Sequence, residues 1–144
     1  MNTDRALVLE FLRGGCRPVA LTSSPLACEL NAELLELHTE GTAVLAFTPS
    51  ARFAQGAQVL QGGVLATLLD FAMAFAAHAC CAAQDRAFAT ATLTVSLLRP
   101  APPGRYRARG RIVRAGGKLM FAEAELATEA GECVAKASAV MPFV

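Results

Sequence analysis

The stretch that decides the fold is residues 61–77, which read QGGVLATLLDFAMAFAA. After Gly63 it contains no helix-breaking residue, and it is dominated by Leu, Ala and Met, which favour helices. Apolar side chains cover every side of this predicted helix, a pattern typical of a buried helix rather than a surface one. We therefore predict one long helix at the centre of the fold.

Asp70 is the only ionisable residue in this apolar stretch. At about 100° per residue, it lies on one narrow stripe of the helix together with the small residues Gly63, Ala66, Ala74 and Ala77. Burying an unpaired carboxylate costs several kcal/mol, so its presence favours a functional role. The alternative interpretation is a buried aspartate whose oxygens are satisfied by neighbouring hydroxyl groups.

A glycine pair, Gly62 and Gly63, stands where this helix begins. The first N–H groups of a helix have no acceptor within the helix, and the helix dipole is positive at that end. Because glycine leaves these groups uncovered, a carbonyl oxygen or an oxyanion could bind there. A simple turn before the helix would also explain the pair.

The two features together resemble a known motif. Gln61-Gly62-Gly63, followed by LLDFAMA at residues 68–74, is similar to the signature of the hotdog-fold acyl-CoA thioesterases, in the branch related to phenylacetic acid degradation. In that family a His or Gln precedes the two glycines, and an Asp follows nine positions later, as Asp70 follows Gln61. The resemblance runs from about residue 26 to residue 144 and includes LLRP at 97–100 and the glycine pair at 116–117.

The resemblance implies an α+β hotdog fold, in which an antiparallel β-sheet wraps around one long central helix. Residues 1–25 would be an N-terminal helix and connector, and residues 26–144 the thioesterase domain. It also implies hydrolysis of an acyl-CoA without a cofactor or metal ion, at sites between the subunits of a homodimer or of a dimer of dimers. Helix geometry agrees, because seven residues separate Gly63 from Asp70 by about 10.5 Å along one helix.

The resemblance further implies a role for individual residues. Asp70 would act as general base or as nucleophile, two roles that the sequence does not distinguish. The N–H groups of Gly62 and Gly63 would polarise the thioester carbonyl, and Gln61 would help to hold it. Thr90 matches a Ser or Thr of the family that hydrogen-bonds the catalytic carboxylate or its water.

Gln55 is the weakest match to the family's site. Six residues before Gln61, it occupies a position where the family usually has an Asn that binds near the attacking water. The replacement of Asn by Gln puts that role in question.

The rest of the chain is predominantly strand-like. A short helix is predicted from about Thr3 to the pair Gly14-Gly15, which ends it. Alternation of polar and apolar residues predicts strands over 26–37, 42–48, 88–98, 105–113, 118–128 and 132–141. Residues 49–60 are predicted to form a loop.

The composition excludes several classes of function. The 144 residues are 54% hydrophobic and 17% charged, which is apolar for one small domain, so we expect subunit interfaces. A net charge of +1 and 6% aromatic residues without Trp do not favour nucleic acid binding. The apolar run from Val64 to Ala83 could suggest a membrane helix, but Asp70 lies inside it and no aromatic or basic anchors flank it.

The location is expected to be cytoplasmic. The N-terminal apolar run of residues 6–9 is interrupted by Glu10, so it does not form a secretory signal. The cysteines have no metal-binding or disulfide spacing and are expected to be reduced thiols: Cys16, Cys28, Cys80, Cys81 and Cys133.

Several basic residues could bind the phosphates of coenzyme A. Four arginines share one face of a predicted strand: Arg105, Arg107, Arg109 and Arg111. If a three-residue turn follows this strand, Arg109 faces Glu123 and Arg107 faces Glu125, so a solvated, ion-paired strand face is the favoured interpretation for these two. The better phosphate candidates stand at strand ends: Arg99, Arg114 and Lys118.

Other kinds of site are less favoured. His78 is about 12 Å from Asp70 along the helix axis, so we expect His78, like His38, to be structural. No Ser or Cys has a base at a recognisable spacing. The main alternative to a small- or medium-acyl thioesterase, with an aryl acyl group included, is a non-catalytic acyl-CoA or hydrophobic-ligand binder on the same fold. A hotdog hydratase would need a His and Asp pattern that the sequence lacks.

Overall fold

A computed structural model describes residues 2–14 and 17–144 of the chain. The helices are α1 (Thr3–Gly14), α2 (Pro25–Glu29) and α3 (Gly62–Cys80), with a 3-10 turn at Ala51–Phe53. The strands are β1 (Val19–Ala20), β2 (Glu33–His38), β3 (Thr42–Phe47), β4 (Thr92–Leu97), β5 (Tyr106–Ala115), β6 (Leu119–Thr128) and β7 (Cys133–Pro142).

The strands form one antiparallel sheet in the order β1-β2-β3-β5-β6-β7-β4, and α3 packs mainly against β3, β5 and β6. The predicted α+β layout, one long helix held by an antiparallel sheet, is confirmed. β4 follows α3 in the chain but pairs with β7, so it forms one edge of the sheet. This placement brings the segment after α3 back alongside the helix.

The long strands alternate between a helix side and a solvent side, as the sequence pattern predicts. In β6, for example, Met120, Ala122, Ala124 and Leu126 are buried while the residues between them are exposed. Two of these four buried side chains are alanines, and their small size allows α3 to lie close to the sheet.

α3 lies very close to the sheet at Gly110 of β5. A Cβ atom added there would be 2.8 Å from the backbone nitrogen of Met73 and closer still to the carbonyl group of Ala72. Only glycine fits this position, since backbone atoms of the helix occupy the space of any side chain.

α3 is buried on its sheet side but not all round, which corrects the expectation from the sequence. Its large apolar residues, such as Leu68, Met73 and Phe75, are fully buried. By contrast Gly63 is exposed and Asp70 is partly exposed. Although α3 has the length and apolar composition of a membrane-spanning helix, in this fold those apolar side chains form the core over which the sheet closes.

The predicted strand 26–37 is wrong in its first half, where the chain forms α2. The Ser24 hydroxyl accepts a hydrogen bond from the Ala27 N–H at 3.2 Å, and Pro25 occupies the first helical turn. This N-terminal cap favours a helix. The alternating pattern of residues 28–34 therefore produces a strand only from Glu33 onward.

The predicted N-terminal helix is confirmed as α1. The Asn2 side-chain oxygen accepts hydrogen bonds from the N–H groups of Asp4 and Arg5, at 2.9 and 3.2 Å. Val8 and Phe11 bury their side chains in the same core as α3. Gly15, predicted to help end this helix, and Cys16 lie outside the described residues. The other cysteines are free thiols, as predicted: Cys28, Cys80, Cys81 and Cys133.

Candidate active site

The N-terminus of α3 presents two free backbone donors. Gln61 donates its own N–H to the Phe53 carbonyl at 3.0 Å, and its carbonyl accepts from the Val64 N–H at 2.9 Å. Within the described part of the chain, no acceptor is recorded for the N–H groups of Gly62 and Gly63. These groups can therefore bind a carbonyl oxygen, and the helix dipole adds positive potential there.

Asp70 is held by one hydroxyl group. The Thr90 Oγ1 donates to Asp70 Oδ1 at 2.9 Å, and among the described residues this is the only hydrogen bond recorded for the carboxylate. Two backbone bonds to β7 fix the segment around Thr90: the Ala89 N–H to the Pro142 carbonyl and the Ala91 N–H to the Val140 carbonyl, at 3.2 and 2.9 Å. The contact between Thr90 and Asp70 is the one that the family resemblance implied.

The carboxylate of Asp70 is less buried than the sequence suggested. It lies on a partly open stripe of α3 with Gly63, Ala66 and Ala74, whereas Ala77, also assigned to this stripe, is fully buried. The sheet covers the opposite side of the helix, so this stripe is accessible within one chain. One oxygen is thus positioned by Thr90, while the partly exposed carboxylate can still reach water or a ligand.

The two donors and the carboxylate do not meet within one chain. α3 is continuous from Gly62 to Cys80, so Gly63 and Asp70 are about 10.5 Å apart along its axis. A reacting carbonyl must lie about 3 Å from its donors and close to the attacking group. Within one chain the two donors and the carboxylate therefore lie at different levels of the same helix.

A trough lies beside Gly62, with a volume of about 310 Å³. Most of its wall is apolar, from Val59, Leu65, Leu97 and Ala101, with the polar Gln55 and Arg99 at its border. We call this cavity the Gly62 trough. The sequence pattern identified Leu97 only as part of the LLRP run and did not predict that it lines this cavity. The contact between β4 and the start of α3 joins segments far apart in the sequence, so no local pattern indicates it.

Gln55 lies in this trough, but its side chain is engaged in a turn. Its Oε1 accepts from the Ala57 N–H at 2.6 Å, and its backbone N–H donates to the Val59 carbonyl at 2.8 Å. The side-chain oxygen therefore stabilises the loop that leads to α3, and the amide nitrogen is the part that can reach a ligand or water.

The three candidate phosphate ligands lie at two separate places. Arg99 follows β4, and its guanidinium is 3.5 Å from the Glu132 carboxylate. Arg114 and Lys118 flank the β5–β6 hairpin and line a surface cavity of about 400 Å³. Strand register places Arg114 level with Thr92, at the opposite end of β4 from Arg99. No ion pair is recorded for Arg114 or Lys118 among the described residues.

On the arginine-rich face of β5, Arg105, Arg107 and Arg111 form ion pairs, as the favoured interpretation predicted for Arg107, but in a different register, and none is recorded for Arg109 among the described residues. Arg111 faces Glu123, with its guanidinium 2.7 Å from the carboxylate, and Arg109 faces Glu125. Arg107 contacts Glu129 at 3.4 Å instead. The pairing is shifted by two residues from that expected for a three-residue turn, because the hairpin closes with the Gly116 N–H bonded to the Leu119 carbonyl, and a bulge between Ile112 and Arg114 then changes the register by one residue.

His78 is structural, as predicted. Its ring packs 4.6 Å from the ring of Phe88 and edge-on to Phe75. Burial lowers the pKa of His78, although the nearby Asp4 opposes that effect. Within residues 2–14 and 17–144, no three His, Cys, Asp or Glu side chains are grouped closely enough to hold a metal ion.

Comparison with known proteins identifies the family. The family model of the thioesterase superfamily matches residues 57–135, a range that includes the free donors, Asp70 and Thr90. No curated protein matches the chain.

Solved structures share the whole fold. A phenylacetic acid degradation-related protein from Ralstonia eutropha JMP134 is 25% identical, with a TM-score of 0.80, covering 98% of this chain and 99% of that one. A thioesterase family protein from Silicibacter pomeroyi is 25% identical, with a TM-score of 0.78 and coverage of 97% and 98%. The Escherichia coli PaaI protein, from the phenylacetic acid degradation operon, is 22% identical, with a TM-score of 0.77 and coverage of 99% and 95%. The chain therefore belongs to the thioesterase superfamily, in its hotdog branch, and is a thioester hydrolase.

Proposed function

We propose that the protein hydrolyses small or medium acyl-CoA thioesters, aryl acyl groups included, with Asp70 as the group that activates or replaces water. The observation that carries this proposal is the hydrogen bond from Thr90 to Asp70, on a partly open stripe of a predominantly apolar helix. An oriented carboxylate without a cationic partner can accept a proton from water or attack a carbonyl carbon itself. The proposal leaves these two routes as alternatives.

The N–H groups of Gly62 and Gly63 hold the thioester oxygen in this proposal. Negative charge develops on that oxygen as the carbonyl carbon becomes tetrahedral, and fixed backbone donors stabilise it. The Gln61 side chain is exposed at the same helix end and adds an amide donor. Gln cannot protonate the leaving sulfur, but a thiolate whose conjugate acid has a pKa of about 8.5 departs without help.

Two copies of the chain complete each site in this proposal. The distance along α3 keeps the donors of one protomer away from its own carboxylate, so Gly62 and Gly63 of one copy would face Asp70 of the other in a two-fold dimer. The outer edge of β4 supports a second copy, since in the described part of the chain β7 is its only strand neighbour. Leu93, on the helix side of β4, is 36% exposed, an apolar side chain that association would cover.

The coenzyme A phosphates are assigned to Arg114 and Lys118. Both are exposed at the β5–β6 hairpin, and neither has a recorded acidic partner in the described ranges. Arg99 is the weaker candidate, because Glu132 partly neutralises it.

Thiol release from a panel of acyl-CoAs tests this function. Asp70→Asn should reduce kcat by at least ~10², since only an ionised carboxylate can act as base or nucleophile. Its binding of a non-hydrolysable acyl-CoA analogue should be unchanged. Asp85→Asn is the matched control, since Asp85 is an exposed carboxylate bound to Arg5 on the surface. More than a tenth of the wild-type rate in Asp70→Asn would refute the assignment, and binding without thiol release by the wild type would favour the non-catalytic alternative.

Subunit mixing tests the shared site. One chain carries Asp70→Asn and the other Gly63→Phe, a substitution that the fold of its own chain can accept because nothing lies within 4 Å of a Cβ at Gly63. Each variant alone should be inactive, while the heterodimer should regain one of two sites. If heterodimers confirmed by mass spectrometry show no recovered activity, each chain builds its own site.

A further inference from the structure

Leu97 is the side chain that lies against the Cβ position of Gly62 at the start of α3. An added Cβ at Gly62 would be 2.6 Å from Leu97 Cδ1 and 3.9 Å from Leu97 Cγ, and it would meet no other atom within 4 Å. At Gly63 an added Cβ would meet nothing within 4 Å. The two glycines therefore differ: the Cβ position of Gly63 is open, whereas the Cβ position of Gly62 is in contact with Leu97.

The Leu97 side chain can move. Leu97 is 54% exposed near the end of an edge strand, and the atom that approaches Gly62 is the tip of its side chain. A methyl-sized group beside Gly62 would force this tip into another rotamer and partly out of the apolar trough. The Leu97 side chain thus opposes an additional group beside Gly62, but it does not fill the Gly62 trough.

A thioester oxygen bound at the two donors brings its carbonyl carbon close to Gly62. The carbon next to the carbonyl then lies at the entrance of the Gly62 trough, whose apolar wall suits an alkyl chain or a ring. A methylene group at that position leaves Leu97 in place. A second carbon substituent there competes with Leu97 Cδ1 for the same space.

We infer that Leu97 is a specificity-determining residue that selects acyl groups with an unbranched CH2 next to the thioester carbonyl. This inference rests on the proposed function of the Gly62 and Gly63 donors. Linear acyl and arylacetyl groups satisfy the requirement. Acyl groups that are branched at this carbon, or that attach an aromatic ring directly to the carbonyl, do not.

Two substrate pairs test the inference. The first is butyryl-CoA against its isomer isobutyryl-CoA, and the second is phenylacetyl-CoA against benzoyl-CoA, which lacks the CH2 group. For each pair the ratio of kcat/KM values is measured with the wild type and with Leu97→Ala. Because one methylene group in an apolar pocket changes kcat/KM by about 10-fold or more, Leu97→Ala should lower the preference for the unbranched member by about 10-fold.

Leu98→Ala is the matched control. Leu98 lines the same trough and is 52% exposed, but none of its atoms is within 4 Å of the Cβ position at Gly62. It should retain the wild-type ratio, and so should Leu97→Met, which approximately preserves the volume of the side chain. An equal change in Leu98→Ala, or an unchanged ratio in Leu97→Ala, would overturn the inference while leaving the hydrolase function intact. A wild type that releases thiol from no substrate would overturn both.

Discussion

The contact between Gly110 and α3 predicts a large loss of stability for Gly110→Ala. The added Cβ would lie 2.8 Å from the Met73 backbone nitrogen, whereas ordinary van der Waals contact begins at 3.4 Å. No flexible side chain can move away, because the opposing atoms are the backbone of a continuous helix. α3 would therefore have to withdraw from the sheet around Ala72.

The magnitude follows from this rigidity. Overpacking a core costs about 1–3 kcal/mol, and a backbone clash belongs at the upper end of that range. For a chain of this size about 3 kcal/mol corresponds to a decrease in Tm of roughly 10 °C. Withdrawal of α3 would also lengthen the 2.9 Å hydrogen bond between Thr90 and Asp70, so kcat should fall in the folded variant as well.

Thermal unfolding and thiol release on the same samples test both effects. Gly117→Ala is the matched control, because its Cβ would meet nothing within 4 Å, and it should melt within about 1 °C of the wild type. A Tm of Gly110→Ala within about 2 °C of the wild type would show that the helix does not lie as close to β5 as described.

Three further predictions concern single side chains. Gln61→His should retain activity, because both side chains can donate one hydrogen bond, whereas Gln61→Ala should lower kcat/KM about tenfold; an unchanged rate in the alanine variant would make the position structural. Thr90→Val should lower kcat about tenfold by releasing Asp70, and a rate equal to that of the wild type would remove Thr90 from the site. Burial lowers the pKa of His78 below its ordinary 6.5, so the unfolded chain binds more protons below that pH and stability should decrease as the pH falls from 6.5. His78→Phe should lose less stability over this range in denaturant titrations, and an identical pH dependence would contradict this reasoning.

The central helix and the long strands could be predicted because their patterns are local. Composition defines α3 to within a few residues, and alternation defines β5, β6 and β7, each with one buried face. Asp70, Gly62 and Gly63 stood out for the same reason, since a lone carboxylate and a glycine pair are conspicuous in an apolar run.

The rest depended on contacts that a local pattern does not contain. The cap at Ser24 overrode the alternation of the residues that follow it, and the position of the turn together with the bulge after Ile112 moved the residues that face the β5 arginines by two. Leu97 and Gly62 meet only because β4 returns to the start of α3. An all-apolar helix likewise does not reveal whether its own sheet or a second copy covers a given side.

The position of β4 has a consequence for how the protein is made. Residues 90–98 contain neither a charged residue nor a proline, the features that usually protect an exposed edge. On the ribosome β4 is synthesised before β5, β6 and β7, yet its strand partner within the chain is β7, the last of them. A nascent chain therefore carries an uncharged, unpaired strand with one apolar face until β7 has emerged. Soluble yield should depend on the time that passes between the synthesis of β4 and the synthesis of β7. A translational pause after residue 98 should therefore increase aggregation, even though the finished sequence is unchanged.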